Sequence, residues 1–266
     1  MKLNILGSGT SDGIPVLGCN CPVCRSVDRR DRRLRSSLLI RGAGGEQVVI
    51  DTGPEFRLQA LRAGIGRLDA VFLTHSHADH IHGMDDLRPL SRETPLPVYG
   101  NRETIDELRE RFSYVFRETQ QGGGKPRLVP TVADTGPITI GSLRFSPVPV
   151  MHGTLSILGW RVDEGSAAAV YLTDTSEIPA SSRSLIGRPG VLIIGGLRAR
   201  PHPTHFNFEQ ALDAAAQTGA PRNFLTHICH DYSHRDIAAY CRNYRKQHGL
   251  GSTVMKPAYD GLELDV

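Results

Sequence analysis

Ten residues, Val71-Phe72-Leu73-Thr74-His75-Ser76-His77-Ala78-Asp79-His80, carry an apolar strand into a burst of three histidines and one aspartate. If the backbone stays extended, His75 and His77 point the same way, because side chains alternate along a strand. Asp79 and His80 can then turn back toward a second ion, so one loop can feed two adjacent metals. Imidazole suits zinc, iron, nickel and manganese, and a carboxylate among the ligands moves such a site toward hydrolytic two-metal chemistry. A solvated histidine-rich loop is the alternative reading. The apolar strand that leads into the cluster speaks against it.

Other metal-capable residues sit just past apolar segments. Asp51 follows Val48-Val49-Ile50, His152 follows Val148-Pro149-Val150-Met151, Asp174 follows Val170-Tyr171-Leu172-Thr173, and His227 follows Phe224-Leu225-Thr226. In layered α/β proteins the loops at strand ends gather into one crevice. His75, His77, Asp79, His80, His152, Asp174 and His227 together make a two-metal ligand set. A second cluster lies near the N-terminus, where Gly18-Cys19-Asn20-Cys21-Pro22-Val23-Cys24 puts three thiols into a compact turn. A closed tetrahedral zinc site needs a fourth ligand. The candidate is His230, three residues past His227, since Cys229 would alternate away. Cys241 lies in a helical pattern and reads as core.

The elements that must position these residues are short and interleaved. Strands are expected near residues 3–5, 37–40, 48–50, 70–73, 143–150, 168–172, 191–194 and 224–225, and helices over 55–63, 102–112 and 207–217. No linker divides them, so 266 residues are expected to form a single α/β domain, with the cysteine-rich loop at 18–24. Residues 120–126, the sole low-complexity stretch, read as a mobile excursion near the site. No repeat of solenoid period is visible. The net charge of +3 is mild, and the arginine-rich stretch 25–35 is interrupted by two aspartates. It reads as a solvated loop, which disfavours nucleic acid as a partner. Five cysteines, three of them clustered, do not make a disulfide scaffold. Without a signal-like leader or a bilayer-length apolar run, the expected location is cytoplasmic, with no membrane contact.

His-x-His-x-Asp-His after a strand, followed in order by a single His, a single Asp and a final His, resembles the metallo-β-lactamase superfamily over nearly the whole chain. The resemblance implies a four-layer αββα sandwich. It also implies that His75, His77 and His152 hold one metal, that Asp79, His80 and His227 hold the other, and that Asp174 bridges them. Asp51, in Asp51-Thr52-Gly53, matches the family's buried aspartate that hydrogen-bonds a ligand histidine. Zinc β-lactamases with a mixed site usually carry a cysteine at the position of Asp174, so the β-lactam reading falls. The Gly-Cys-x-Cys-x2-Cys segment after Gly9-Thr10-Ser11-Asp12-Gly13-Ile14-Pro15 resembles the PhnP family of cyclic phosphodiesterases. There the three cysteines and the histidine matching His230 bind a structural zinc. His205, which opens a helix, matches a histidine near the phosphate, which implies a general acid or a cationic clamp. One departure is Gly195-Gly196, where relatives often carry an acidic residue.

The expected function is that of a binuclear metal-dependent phosphodiesterase. It would cleave a small cyclic phosphodiester, of phosphoribosyl cyclic phosphate or cyclic nucleotide type, by attack of a metal-bridging hydroxide, with Asp79 and His205 as catalytic residues. Two catalytic divalent ions (zinc or manganese, with nickel also fitting) and one structural zinc are the expected cofactors. A transfer-RNA 3′-processing ribonuclease, a thioesterase and a non-catalytic metal-binding module are the alternatives. A homodimer is the base-rate expectation. His202, His234 and His248 are assigned no chemistry, and His82 is left open.

Overall fold

The computed structural model describes residues 1–118, 124–134 and 136–266. Residues 120–123 of the low-complexity excursion lie outside the described residues. Two seven-stranded sheets make up the centre. The first runs edge to edge through β14 (Glu263–Asp265), β1 (Lys2–Gly7), β2 (Ser37–Arg41), β3 (Gln47–Ile50), β4 (Ala70–Phe72), β5 (Leu96–Gly100) and β6 (Leu128–Val132). The second runs through β13 (Val254–Pro257), β12 (Arg222–Thr226), β11 (Val191–Gly195), β10 (Ala167–Leu172), β9 (Leu155–Glu164), β8 (Leu143–His152) and β7 (Ile138–Ile140).

Both sheets follow one plan. An antiparallel ladder (β1 to β3 in one, β7 to β10 in the other) hands over to three further strands that run parallel. Parallel neighbours need crossover connections, and helices supply most of them. These are α1 (Phe56–Arg62), α2 (Ala78–Ile81) followed by a 3-10 helix (Met84–Ser91), α3 (Arg102–Arg111), α4 (Ser113–Phe116), α5 (Ala180–Ile186), α6 (Phe208–Thr218) and α7 (His234–Gln247). The correspondence of the two halves is one of topology, so a search for residue repeats does not reveal it.

Strand alternation sorts the apolar residues into layers. Ile50 and Phe72 of the first sheet face Phe145, Trp160, Tyr171 and Ile193 of the second. Val49 and Val71 face outward onto Phe56, Met84 and Ile105, while Val170 and Leu192 face Phe208, Leu212, Ile237 and Cys241. The result is the expected sandwich of helices, sheet, sheet and helices. Strands buried on both faces read as unbroken apolar runs, which is why the central ones were legible. The Trp160 indole donates across the layers to the Leu73 carbonyl at 3.1 Å, two residues before His75. This anchors the strand that presents the histidine cluster.

The sequence reading did not anticipate β5, β6, β7, β9, β13, β14, α2, α4, α5 or α7, and three of these carry a disguise. β5 and β6 contain Pro97 and Pro130, and proline normally argues against a strand. Pro97 lies beyond the β4 ladder, which pairs only Val98 and Tyr99 of β5, and β6 is an edge strand. α7 presents few apolar residues, yet Ser233 and Asp236 form a capping box at its start, a signal readable from spacing alone. Among the described residues no helix is long and apolar enough to cross a membrane.

Candidate metal centre

Among the described residues, three non-glycine residues adopt a left-handed backbone: Asp51 (φ 63°), Asp174 (φ 51°) and His227 (φ 55°). Asp51 and His227 directly follow β3 and β12, and Asp174 comes two residues after the end of β10. Such conformations are uncommon away from glycine and persist where the surroundings over-determine them. Here they turn three polar side chains off the strand ends and into one place.

The histidine loop meets them there. His77 caps α2 in an extended conformation, so Asp79 and His80 fall in its first turn. His80 Nε2 lies 3.1 Å from Asp79 Oδ2 and 3.3 Å from Asp174 Oδ1. His227 Nε2 lies 3.2 Å from Asp174 Oδ2 and 3.6 Å from Asp79 Oδ2. Asp79, His80, Asp174 and His227 thus form one four-residue group and His75, His77 and His152 an adjacent three-residue group, with ligand atoms mutually within 4.8 Å in each. The expected sets therefore come together. His205 joins from the loop before α6, its Nδ1 3.9 Å from Asp174 Oδ2 and its ring stacked 4.8 Å from that of His227.

Supporting groups fix which ring nitrogen faces the centre. Asp51 is fully buried, and its Oδ2 lies 2.7 Å from His80 Nδ1. The Thr74 amide and hydroxyl both donate to Asp51 at 2.8 Å, and the same hydroxyl lies 3.0 Å from His75 Nδ1. His152 Nδ1 donates to the Thr204 carbonyl at 2.7 Å. The Ser176 hydroxyl donates to Met151 and accepts from Gly153, which clamps the turn bearing His152. Thr74 was visible beside His75. Thr204 and Ser176 are remote in sequence and gave no signal.

The nitrogens left over are the test of fit for metal. The Nε2 atoms of His75, His80 and His227 are buried without any hydrogen-bond partner, an arrangement that is costly unless a ligand satisfies them. Donor-atom separations of 3.1, 3.2 and 3.3 Å fall within the roughly 3.0–3.4 Å expected of two ligands at about 2.1 Å on one ion, and the fourth, 3.6 Å between His227 and Asp79, is slightly longer. Burial alone would push the Asp79 and Asp174 carboxyls up. The surrounding imidazoles, His80 foremost for Asp79 and His227 foremost for Asp174, hold both below the usual carboxylate range. Burial and the neighbouring His80 push His75 well down. The residues present fit a pair of divalent ions.

The thiol cluster passes the same test. Cys19, Cys21 and Cys24 Sγ lie 3.4, 3.5 and 3.5 Å from His230 Nδ1, against an edge of about 3.6 Å for a tetrahedron built on zinc–sulfur and zinc–nitrogen bonds. A backbone hydrogen bond from Cys24 lowers the Cys21 thiol to about 6, favouring the thiolate that binds metal. Cys229 points elsewhere and is buried, and Cys241 lies in the core under α7.

One sequence reading changes, and two histidines assigned no chemistry are given a place. The stretch 25–35 is not uniformly solvated, because Asp31 and Arg33 are buried. His202 stands at the site, its ring 5.1 Å from that of His205. His234 is buried against Tyr259. The signal missed in each case was tertiary. His82 is exposed, edge-on to Phe112. A Cβ at Gly195 would lie 3.1 Å from the Asp174 amide, so this glycine borders the turn that delivers Asp174.

A family model described as a beta-lactamase superfamily domain matches residues 46–228. A crystal structure described as a new diphosphatase from the PhnP family is 37% identical to the protein, with 100% of this chain and 97% of the other covered and a TM-score of 0.87. Zinc-bound PqqB from Methylobacterium extorquens, at 17% identity with both chains fully covered and a TM-score of 0.78, shares the fold. A curated relative from Porphyromonas gingivalis, described as an octanoyltransferase, is 43% identical over 86% of this chain. The chain spans only 46% of that relative's length.

Proposed function

The chain belongs to the beta-lactamase superfamily and, within it, to the PhnP family, and from that premise we propose that it is a binuclear metal-dependent phosphodiesterase acting on a small cyclic or activated phosphodiester. The observation that carries this reading is the all-histidine and carboxylate cluster around Asp174, with His205 beside it and no thiol among the candidate ligands. His75, His77 and His152 would hold one ion, Asp79, His80 and His227 the other, with Asp174 shared. Bound there, a pair of divalent ions would supply Lewis acidity and a water acidic enough to ionise near neutral pH.

The side chains set up the rest. Asp51 keeps the His80 proton on Nδ1, and Thr204 keeps that of His152 on Nδ1, so both rings offer a lone pair to the centre. His205 is 14% exposed, close enough to solvent to meet a substrate oxygen and enclosed enough to exclude bulk water. Burial, then the neighbouring His227, pushes its imidazole down to about 3. An anionic phosphoryl group arriving beside the ring works against that shift, which suits His205 to hold a proton against the departing oxygen. The thiol centre would hold a structural zinc. No membrane contact, a cytoplasmic setting and a single 1–266 domain accord with the reading, and a homodimer is the expected assembly.

Thioester hydrolysis is the second reading, favoured by the 43% identity to a segment of a protein described as an octanoyltransferase. Transfer-RNA processing lacks a specific observation in its favour. The deciding experiment is a substrate panel on metal-reconstituted protein: bis(p-nitrophenyl) phosphate, cyclic phosphates of ribose and nucleosides, a diphosphate, an octanoyl thioester and precursor transfer RNA. Cleavage of the thioester with every diester left intact would overturn the proposal.

A further inference from the structure

Between the thiol loop and β2 stands an arginine that neither centre uses directly. The Arg33 side chain is 0% exposed and that of Asp31 4%. A buried guanidinium is costly unless its donors are paired, so its partners identify its role. Arg33 Nη2 lies 3.3 Å from Asp31 Oδ1, Nη1 donates to the Cys229 carbonyl at 3.1 Å, and Nη2 reaches the Tyr232 carbonyl at 3.5 Å. Asp31 Oδ1 in turn accepts from the His234 amide at 2.6 Å. The pair grips residues 229, 232 and 234, which belong to the segment joining β12 to α7 or to the first residue of that helix.

That segment begins at His227 and carries His230 midway. It reaches both clusters, yet at 229 and 232 it has neither helix nor strand to satisfy its carbonyls. Arg33 itself is tied by paired backbone hydrogen bonds to Ile14, at the entrance to the thiol loop. Gly9, whose added Cβ would meet the Arg33 Cβ at 2.9 Å, lets the leading strand pass close by, where it bridges to Ile228. Arg33 stands where the leading strand, the approach to the thiols and the double-histidine segment meet. A planar fork of donors can span two carbonyls and a carboxylate at once, which a single ammonium does not.

Resting on the metal assignment proposed above, we infer that Arg33, oriented by Asp31, is a positioning residue that couples the two metal centres, by holding the 227–234 segment so that His230 meets the three thiols while His227 meets Asp174. Shifting the Cys229 and Tyr232 carbonyls then moves a ligand of each centre together.

The test uses full-length, zinc-loaded Arg33→Met and Arg33→Lys. Zinc release from the thiol centre to a chromogenic chelator should be about 10- to 100-fold faster in Arg33→Met and intermediate in Arg33→Lys. Hydrolysis of bis(p-nitrophenyl) phosphate should fall in step and recover with excess zinc. Melting curves with and without zinc separate coupling from plain structural loss. Coupling narrows the gap between the two curves, whereas a structural arginine lowers both equally. Either variant that folds and releases zinc at the wild-type rate overturns the inference, and if Arg33→Met does not fold, Arg33→Lys decides. Zinc release is read without substrate, so failure of the phosphodiesterase reading leaves its outcome distinct.

Discussion

Replacing Asp51 by Asn removes one negative oxygen from the base of the candidate centre and little else. Asn tolerates the left-handed backbone of that position, so the φ of 63° need not change. Its remaining oxygen can still accept from the Thr74 amide, and the Thr74 hydroxyl can rotate from donor to acceptor. The contact with His80 survives only if the amide flips and sets its nitrogen against the Thr74 N–H instead, so either orientation leaves one donor facing another. Unflipped, where Oδ2 now lies 2.7 Å from Nδ1, an amide nitrogen would face the ring N–H, two donors with nothing between them. Moving the His80 proton to Nε2 relieves this but removes the lone pair aimed at Asp79 and Asp174. The loss is that of one charge-assisted hydrogen bond, about 1.5–3 kcal/mol, or roughly 10- to 100-fold in metal affinity. Chelator competition measures the affinity, and melting of stripped and loaded protein gives an independent reading. A hundredfold weaker Kd shrinks the metal-induced stabilisation by up to about 2.7 kcal/mol. Asp51→Asn that binds catalytic metal with wild-type affinity would refute the reasoning, because neither orientation of the amide keeps both contacts.

His205→Ala should lower kcat by about 10²- to 10⁴-fold with metal content unchanged, and a parallel loss of metal would make His205 a ligand instead. In Gly53→Ala the new Cβ would fall 2.3 Å from the Asp79 carbonyl oxygen, so α2 must move; the expected cost is about 1–3 kcal/mol in thermal unfolding, with catalytic metal lost and thiol-bound zinc retained on metal analysis. Asp260 accepts from the Ser8 amide and hydroxyl and from the Leu34 amide, but burial raises its carboxyl to about 6. The folded state then binds the proton more tightly than the unfolded, so stability falls as pH rises from about 4 to about 6, by at most about 3 kcal/mol. Urea unfolding of wild type and Asp260→Asn across that range should show the difference, and identical slopes would rule the assignment out.

The sequence by itself pointed to metal chemistry and to most of the side chains that the structure gathers into the candidate centre. Imidazoles and carboxylates set just beyond apolar β-branched runs have few other uses, and three thiols in one short turn announce a soft-metal site through spacing alone. Runs apolar on both faces also fixed that the central strands lie within a layered core. Only the tertiary structure decided what depends on close approach between remote segments. His202 and His205 share a place because the loop before α6 folds back over His152, and Arg33 is buried because the strand at Gly9 and the segment at Cys229 close around it. Thr204 and Ser176 act on His152 from more than twenty residues away. A local pattern records which side chains can do chemistry, since that is a property of the residue. Which backbone carbonyl or hydroxyl stands opposite each one depends on how two seven-stranded sheets meet, and no spacing along the chain encodes that distance.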